Sequence, residues 1–171
     1  MGVANRTDFD LKAHMQATGE SLEYFDPITN SKLIPFVIEP SMGLDRLMLA
    51  LLIDSYDEEA ISENDSRIVL RMPKSVAPYK FAILPLVKKL NDKAEEIYKE
   101  LLKLNIAITY DDAGSIGKRY RRQDSIGTPY CITVDYDSLN DECITIRNRD
   151  SMLQERISIS ELYNLAKNDF K

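Results

Sequence analysis

The stretch FAILPLVKKLNDKAEEIYKELLKLNIAITY, residues 81–110, decides the fold class of this chain. Its two ends, 81–86 and 106–110, are short apolar runs of the kind that form strands. Between them Asn91 can cap a helix. The apolar residues of that helix recur at spacings of three and four: Ala94, Ile97, Tyr98, Leu101 and Leu102. The order strand, helix, strand predicts a compact α/β domain.

The same alternation continues on both sides of this stretch. Strand patterns occupy 67–72, 130–135 and 143–146, and helix patterns occupy 115–126 and about 160–166, the last with Ser160 as a cap. The second half of the chain therefore predicts a mixed β-sheet with about three helices.

The first part of the chain follows a different plan. A helix is predicted from Thr7 or Asp8 to Ala17, ended by Gly19, and then two strands at 22–25 and 33–38 joined by a turn-rich segment. A second helix, 44–56, is apolar nearly all round, which is typical of a helix inside a larger body.

A polar stretch, 57–66, separates these two parts and holds five acidic residues. Such a composition predicts a domain boundary, giving domains 1–60 and 61–171. The net charge also differs between the parts of the chain before and after residue 66. Residues 1–66 carry four basic and 13 acidic side chains, hence −9, and the remaining 18 basic and 15 acidic side chains give +3. A nucleic acid would prefer the second part.

Composition also bears on location and on metals. The longest apolar run, 47–53, is far shorter than the roughly 20 residues that cross a bilayer. The first residues lack the apolar core of a signal peptide, so the sequence predicts a cytoplasmic protein without membrane association. Cys131 and Cys143 have no partners at metal-ligand spacing, which predicts reduced thiols and no metal site.

The segment VIEPSMGLDR, 37–46, is a strand that enters a Pro/Gly turn and then an apolar helix. Backbone N–H groups face ligands at turns of this kind. Gly43 would let the backbone approach a ligand closely, and the planar guanidinium of Arg46 suits phosphate or an aromatic ring. On pattern alone, Asp45 and Arg46 could equally well cap and solubilise a helix end.

A resemblance to a known family favours the interpretation of this turn as a ligand-binding site. Residues 39–46, with the pattern Glu-Pro-Ser-x-Gly-x-Asp-Arg, resemble motif 3 of class II aminoacyl-tRNA synthetases in its glycyl form. Residues 2–11 resemble the active-site strand and helix of that enzyme. Residues 110–124, 126–135 and 145–152 resemble its anticodon-binding domain. The chain thus resembles the C-terminal part of a class II glycyl-tRNA synthetase of the dimeric type, namely the end of the catalytic domain and the anticodon-binding domain.

The resemblance implies a site and its ligands. Glycine would be bound by Glu39, Pro40, Ser41, Met42 and Gly43, with the Glu39 carboxylate on the α-ammonium. ATP, a substrate accompanied by Mg²⁺, would be bound by Gly43, Leu44, Asp45 and Arg46, with Arg46 stacked on the adenine. The other implied partners are tRNA(Gly) and a second copy of the enzyme. Motifs 1 and 2 of the family are absent from these residues, so we expect the chain to be inactive alone.

A basic cluster formed by Lys118, Arg119, Arg121 and Arg122 surrounds Tyr120. One interpretation is a cationic surface for the anticodon loop, where bases stack and phosphates pair with Lys and Arg. The other is a solvated helix face that pairs with nearby aspartates while Ile116 and Tyr120 face the core.

Two functions therefore compete at the level of sequence. One is the C-terminal part of a ligase that attaches glycine to tRNA. The alternative is a non-catalytic, synthetase-like protein that binds nucleic acid or serves as a polymerase accessory subunit. The joint presence of Glu39, Ser41 and Arg46 favours the ligase, because a protein freed from glycine and ATP would not need all three.

Overall fold

A computed structural model describes residues 2–170, which form two compact units, one ending at Ala50 and one beginning at Leu51. In the part of the chain that it describes, no helix is long and apolar enough to cross a membrane.

The first unit contains two short antiparallel strand pairs, β1–β4 and β2–β3, and a helix. Its elements are β1 (Gly2–Asn5), α1 (Phe9–Thr18), β2 (Tyr24–Asp26), β3 (Ser31–Leu33) and β4 (Ile38–Ser41). Helix α2 (Leu44–Ser55) begins here and ends in the second unit. The prediction that Gly19 ends α1 is confirmed, because it adopts a φ of 76° and its N–H donates to the Met15 carbonyl. The strand predicted at 33–38 is instead divided between β3 and β4.

Few side chains of the first unit are covered. None of residues 2–50 is buried, and helix α2 exposes apolar side chains along its whole length. They are Leu44, Leu47, Met48, Leu49, Leu52 and Ile53. The helix has the all-round apolar character of an element that belongs inside a larger body.

The second unit is built on a five-stranded sheet with the order β11-β10-β9-β7-β8. Its elements are β5 (Tyr56–Ser62), β6 (Asp65–Leu70), β7 (Phe81–Pro85), α3 (Asn91–Leu102), β8 (Ile108–Tyr110), α4 (Ile116–Ile126), β9 (Tyr130–Val134), α5 (Ser138–Asp141), β10 (Cys143–Asn148), β11 (Gln154–Ser158) and α6 (Ile159–Asp169). Strand β7 runs parallel to β8 and β9, whereas β10 is antiparallel to both of its neighbours. The predicted α/β fold with a mixed sheet is confirmed.

Helices cover both faces of this sheet. The main core contains Ile83, Ile132 and Ile144 from the strands, Ile97 from α3 and Leu162 from α6. On the other face Ile116 and Tyr120 of α4 pack against a smaller cluster formed by Ala82, Leu84 and Cys131. Alternation of side chains along each strand explains this division, since successive residues point to opposite faces.

The acidic stretch 57–66, where the sequence predicts the domain boundary, forms most of the antiparallel hairpin β5–β6. Its acidic side chains Asp57 and Glu59 accept hydrogen bonds from arginines of β6 and of the segment after it, at 2.7–2.9 Å. The division at residue 60 remains a prediction, and that residue lies within β5.

The last helix begins earlier than predicted. Ser158, and not Ser160, is its N-cap, with a reciprocal capping box in which Glu161 accepts from the Ser158 N–H at 2.8 Å. Strand β11, which the sequence did not predict, ends at that same serine. The strand therefore continues into the helix without a connecting loop.

We predict that Gly127→Ala strongly destabilises the second unit. Gly127 ends α4 at a φ of 88°, and a Cβ there would lie 2.9 Å from the Leu70 carbonyl oxygen. The backbone conformation alone costs about 1–3 kcal/mol for a non-glycine residue. Gly114→Ala is the matched control, since its φ is 81° but nothing lies within 4 Å of an added Cβ. Denaturant unfolding should show that Gly127→Ala loses at least about 1 kcal/mol more than the control. Equal losses would contradict close packing of the end of α4 on β6.

Candidate functional site

The turn after β4 is held by the pairing of β4 with β1. Gly2 lies opposite Ser41 in this register, and Ala4 lies opposite Glu39. A Cβ on Gly2 would lie 3.0 Å from the Ser41 Oγ. The glycine therefore leaves room for the serine hydroxyl on the paired strand. Helix α2 then begins at Leu44, and the Gly43 carbonyl accepts its first hydrogen bond from the Leu47 N–H at 3.1 Å.

An open cleft of about 810 Å³ forms beside this turn. Its lining residues are Gly2, Ser41, Met42, Gly43, Leu44, Asp45 and Arg46. The structure thus brings together all four residues predicted to bind ATP and three of the five predicted to bind glycine. Glu39 and Pro40 lie in β4 outside this lining. No atom lies within 4 Å of a Cβ placed on Gly43, so packing within the described residues does not require a glycine there.

Glu39 lies beside a charged pair formed by Arg6 and Asp10. The Arg6 guanidinium donates to both oxygens of Asp10, at 2.9 and 2.8 Å, and its Nε is 3.8 Å from a Glu39 carboxylate oxygen. The hydrogen bonds to Asp10 raise the pKa of Arg6, and the hydrogen bonds from Arg6 lower the pKa of Asp10. Because Arg6 is mainly engaged with Asp10, the Glu39 carboxylate keeps capacity for another cation.

Of the four residues predicted to bind RNA, Arg119 must be corrected. Its side chain is buried, and its guanidinium donates to the Pro85 carbonyl at 2.5 Å and to the Gly114 carbonyl at 2.7 and 3.1 Å. A buried cation is stable only where such acceptors replace water. Arg119 thus ties α4 to the end of β7 and is not available to a phosphate.

The other three cations of α4 remain accessible. Arg122 is bound to Asp111 at 2.7–2.9 Å and Arg121 to Asp65 at 2.5 Å, whereas Lys118 is exposed and forms no ion pair with the residues described. Tyr120, between them, is turned inward. Its Oη lies 2.6 Å from the Thr133 Oγ1, and burial raises its pKa. Tyr120 thus faces inward and two of the arginines pair with aspartates, as expected if α4 presents a solvated helix face.

Sequence reasoning missed the charged centre of the second unit. Asp124 of α4 is buried and accepts from Arg147 of β10 at 2.8 and 3.0 Å and from Arg67 of β6 at 3.0 Å. Arg67 also donates to the Arg149 carbonyl at 2.8 Å. The available signal was an arginine at the edge of a predicted strand, since Arg147 directly follows the strand pattern 143–146 and Arg67 begins the strand pattern 67–72. We call Arg67, Asp124 and Arg147 the buried charge cluster.

Among the described residues, no three or more His, Cys, Asp or Glu side chains are placed to hold a metal ion. Asp111, which with Asp112 resembles a metal-binding pair in the sequence, instead accepts a hydrogen bond from the Ala113 N–H at 3.1 Å. The pair therefore forms a turn after β8.

Comparisons with known proteins identify the family of this chain. Residues 80–169 match the family model described as "Anticodon binding domain". The chain is 63% identical to the glycine–tRNA ligase of Alkaliphilus oremlandii over 161 residues, which are 94% of this chain and 35% of that protein. It is 57% identical to the glycine–tRNA ligase of Acetivibrio thermocellus over 169 residues, 99% of this chain and 36% of that protein. The chain therefore spans about a third of the length of these relatives.

A solved structure shares the fold of more than half of this chain. The RNA binding domain of threonyl-tRNA synthetase from Cryptosporidium parvum aligns with a TM-score of 0.55 at 20% identity. The alignment covers 58% of this chain and 26% of the other.

We predict that Arg119→Ala acts on stability. Its removal leaves the buried carbonyl of Pro85 without this donor, at a cost of about 1–3 kcal/mol for an unsatisfied buried group, and also removes the hydrogen bonds to Gly114. Lys118→Ala, one residue away on the exposed face, should change the free energy of unfolding by less than about 0.5 kcal/mol. Denaturant unfolding of both variants measures the difference. Equal stability of the two would show that Arg119 is not held as described.

Proposed function

Because the chain belongs to the anticodon binding domain family, we propose that it is the C-terminal part of a glycine–tRNA ligase. The observation that carries the proposal is 63% identity over 94% of the chain with a protein of that name. In this proposal the second unit binds the anticodon arm of tRNA(Gly), and the first unit supplies part of the site where glycine and ATP react.

The first unit would serve by positioning its substrates. Activation of glycine joins its carboxylate to the α-phosphate of ATP, and such a reaction gains mainly from alignment and charge balance. We propose that Arg46, in the cleft, stacks on the adenine and meets the triphosphate, with Gly43, Leu44 and Asp45 beside it. Ser41 and Met42, with Glu39 and Pro40 of the adjoining strand, would hold glycine, and the Glu39 carboxylate would pair with its ammonium.

The second unit would hold RNA through the accessible cations of α4. We propose Lys118, Arg121 and Arg122 as phosphate contacts. Arg119 is excluded because its side chain is buried. The pair of Arg121 with Asp65 is at the surface, whereas in the pair of Arg122 with Asp111 only the arginine is exposed. An exposed pair is worth about 0–1 kcal/mol, so a phosphate can replace Asp65 at little cost.

Other observations support the ligase over a non-catalytic, synthetase-like protein. Both relatives described above carry the ligase name, and the cleft retains Ser41 and Arg46 together. The exposed apolar side chains of α2 are suited to packing within a larger catalytic body. We further propose a cytoplasmic homodimer. Magnesium would accompany ATP, and we assign it no ligand among these residues.

We predict that Arg46→Ala in the intact ligase lowers glycine-dependent ATP–pyrophosphate exchange by at least about tenfold. A hydrogen bond to a charged group is worth about 1.5–3 kcal/mol, which corresponds to this loss. Lys12→Ala is the control, since it removes an exposed cation of the same unit that lies outside the cleft. Activity of Arg46→Ala within about twofold of wild type would refute the ATP contact.

We predict that replacing Arg121 and Arg122 together with Ala weakens binding of the tRNA(Gly) anticodon arm and reduces its salt dependence. Each phosphate contact on a single strand contributes about −0.7 to the slope of log K against log salt, so the slope should flatten by about 1–1.5. The control replaces Lys99 and Lys103 with Ala, because these two cations, in α3 and directly after it, also form exposed ion pairs. If both double variants bind alike, α4 is a solvated face and does not contact RNA.

A further inference from the structure

The outward side of α4 contains a glycine that the fold does not require. Positions 117, 118, 121, 122 and 125 share this side, because side chains three and four residues apart along a helix are neighbours. We call these five residues the α4 outer face: Gly117, Lys118, Arg121, Arg122 and Ser125. All five are exposed or partly exposed, whereas Arg119, Gln123 and Asp124 of the same helix are buried.

Gly117 differs from the other two glycines of the second unit. Gly114 and Gly127 adopt φ angles of 81° and 88°, in the left-handed region that favours glycine. Gly117 has no such φ, and beyond its own helical turn no atom lies within 4 Å of a Cβ placed there. Neither the backbone nor packing within residues 2–170 therefore explains the glycine.

The glycine also weakens the helix that contains it. Alanine has a higher helix propensity than glycine, so Gly117 lowers the stability of α4 relative to alanine. A residue that breaks a local rule without a compensating gain in stability is expected at a functional position.

The α4 outer face is most open at Gly117. Farther along the helix, strand β6 runs beside this face. The Arg121 guanidinium donates to the Ser66 carbonyl at 2.8 Å, and the Ser125 Oγ donates to the Ile68 carbonyl at 3.4 Å. Because β6 leaves position 117 uncovered, a ligand can approach the helix backbone more closely there than at Arg121 or Ser125.

The side chains beside Gly117 indicate the class of ligand. Lys118 follows it directly and forms no ion pair with the residues described, and Arg121 lies one helical turn away with an exposed aspartate partner. The α4 outer face has no apolar side chain. Protein partners are held mainly by buried aromatic and aliphatic anchors, which this face does not offer. Its charge and openness suit a polyanionic strand.

We infer that the sugar–phosphate backbone of the bound RNA lies directly against Gly117, an inference that rests on the proposed function. Glycine permits close approach of the protein backbone to a ligand. With no side chain at position 117, phosphates on either side of the contact come within reach of Lys118 and Arg121. A side chain there would hold the strand away from both cations. Contacts to sugar and phosphate carry no sequence information, so Gly117 sets affinity and not the choice of anticodon.

The test measures binding of the 171-residue chain to the tRNA(Gly) anticodon arm and to the same arm with its middle anticodon base changed. Affinity for both arms should fall at least about fivefold in Gly117→Ala and at least about tenfold in Gly117→Gln, because each added side chain overlaps the strand. The preference between the two arms should stay unchanged. In Gly117→Gln the slope of log K against log salt should flatten by about 0.7–1.4, the loss of one or two phosphate contacts.

Asn164→Ala is the matched control. It also raises helix propensity at an exposed helical position, but in α6, and it should retain the wild-type affinity for both arms.

Thermal unfolding separates an RNA contact from a requirement of the fold. The Tm of Gly117→Ala should equal or exceed that of the wild-type chain. A lower Tm would show that the fold needs this glycine and would overturn the inference. Affinity of both Gly117 variants within about twofold of wild type, or a changed preference between the arms, would overturn it as well while the proposed function stands. If the wild-type chain binds the tRNA(Gly) arm no better than an unrelated RNA hairpin, the proposed function itself fails.

Discussion

The second unit depends on one buried carboxylate. Asp124 is 1% exposed, and taking a carboxylate out of water costs several kcal/mol unless partners replace the lost solvent. Here the partners are guanidinium groups from two different strands, Arg67 of β6 and Arg147 of β10. Because each charge comes from a separate element, the cluster is complete only when helix α4, the hairpin and the sheet are in their native arrangement. It therefore fixes where the accessible cations of α4 are presented.

The buried charge cluster also explains the acidic segment before it. Two arginines around one aspartate leave an excess positive charge, and Glu59 and Asp57 of the hairpin neutralise the buried Arg67 and the neighbouring, partly exposed Arg71. Hydrogen bonds from Arg67 hold the pKa of Glu59 below its usual range. Part of the acidity of 57–66, which predicted a domain boundary, is thus the counter-charge of buried and partly buried arginines.

The sequence predicted those elements whose own residues form a clear helix or strand pattern. Helix α3 has a clean apolar stripe, and β7, β9 and β10 are apolar runs, so the α/β class followed from them. The resemblance singled out the turn at 39–46, and the structure gathers residues 41–46 of it in one cleft, while the ligands of that cleft stay a prediction. The fate of Arg119 could not be predicted, because its acceptors, Pro85 and Gly114, are specified by tertiary packing. Strand β11 was missed for a related reason, since its strand pattern is weak and only its pairing with β10 shows which face its residues occupy.

The direct passage from β11 into α6 limits how this region can vary in evolution. Ile157 of the strand and Leu162 of the helix both pack in the main core and belong to one uninterrupted piece of chain joined at Ser158. One residue inserted there would rotate the helix by about 100° and carry Leu162 out of the core. Length changes in related chains should therefore accumulate in the largely exposed 136–142 segment, while the spacing between Ile157 and Leu162 stays constant.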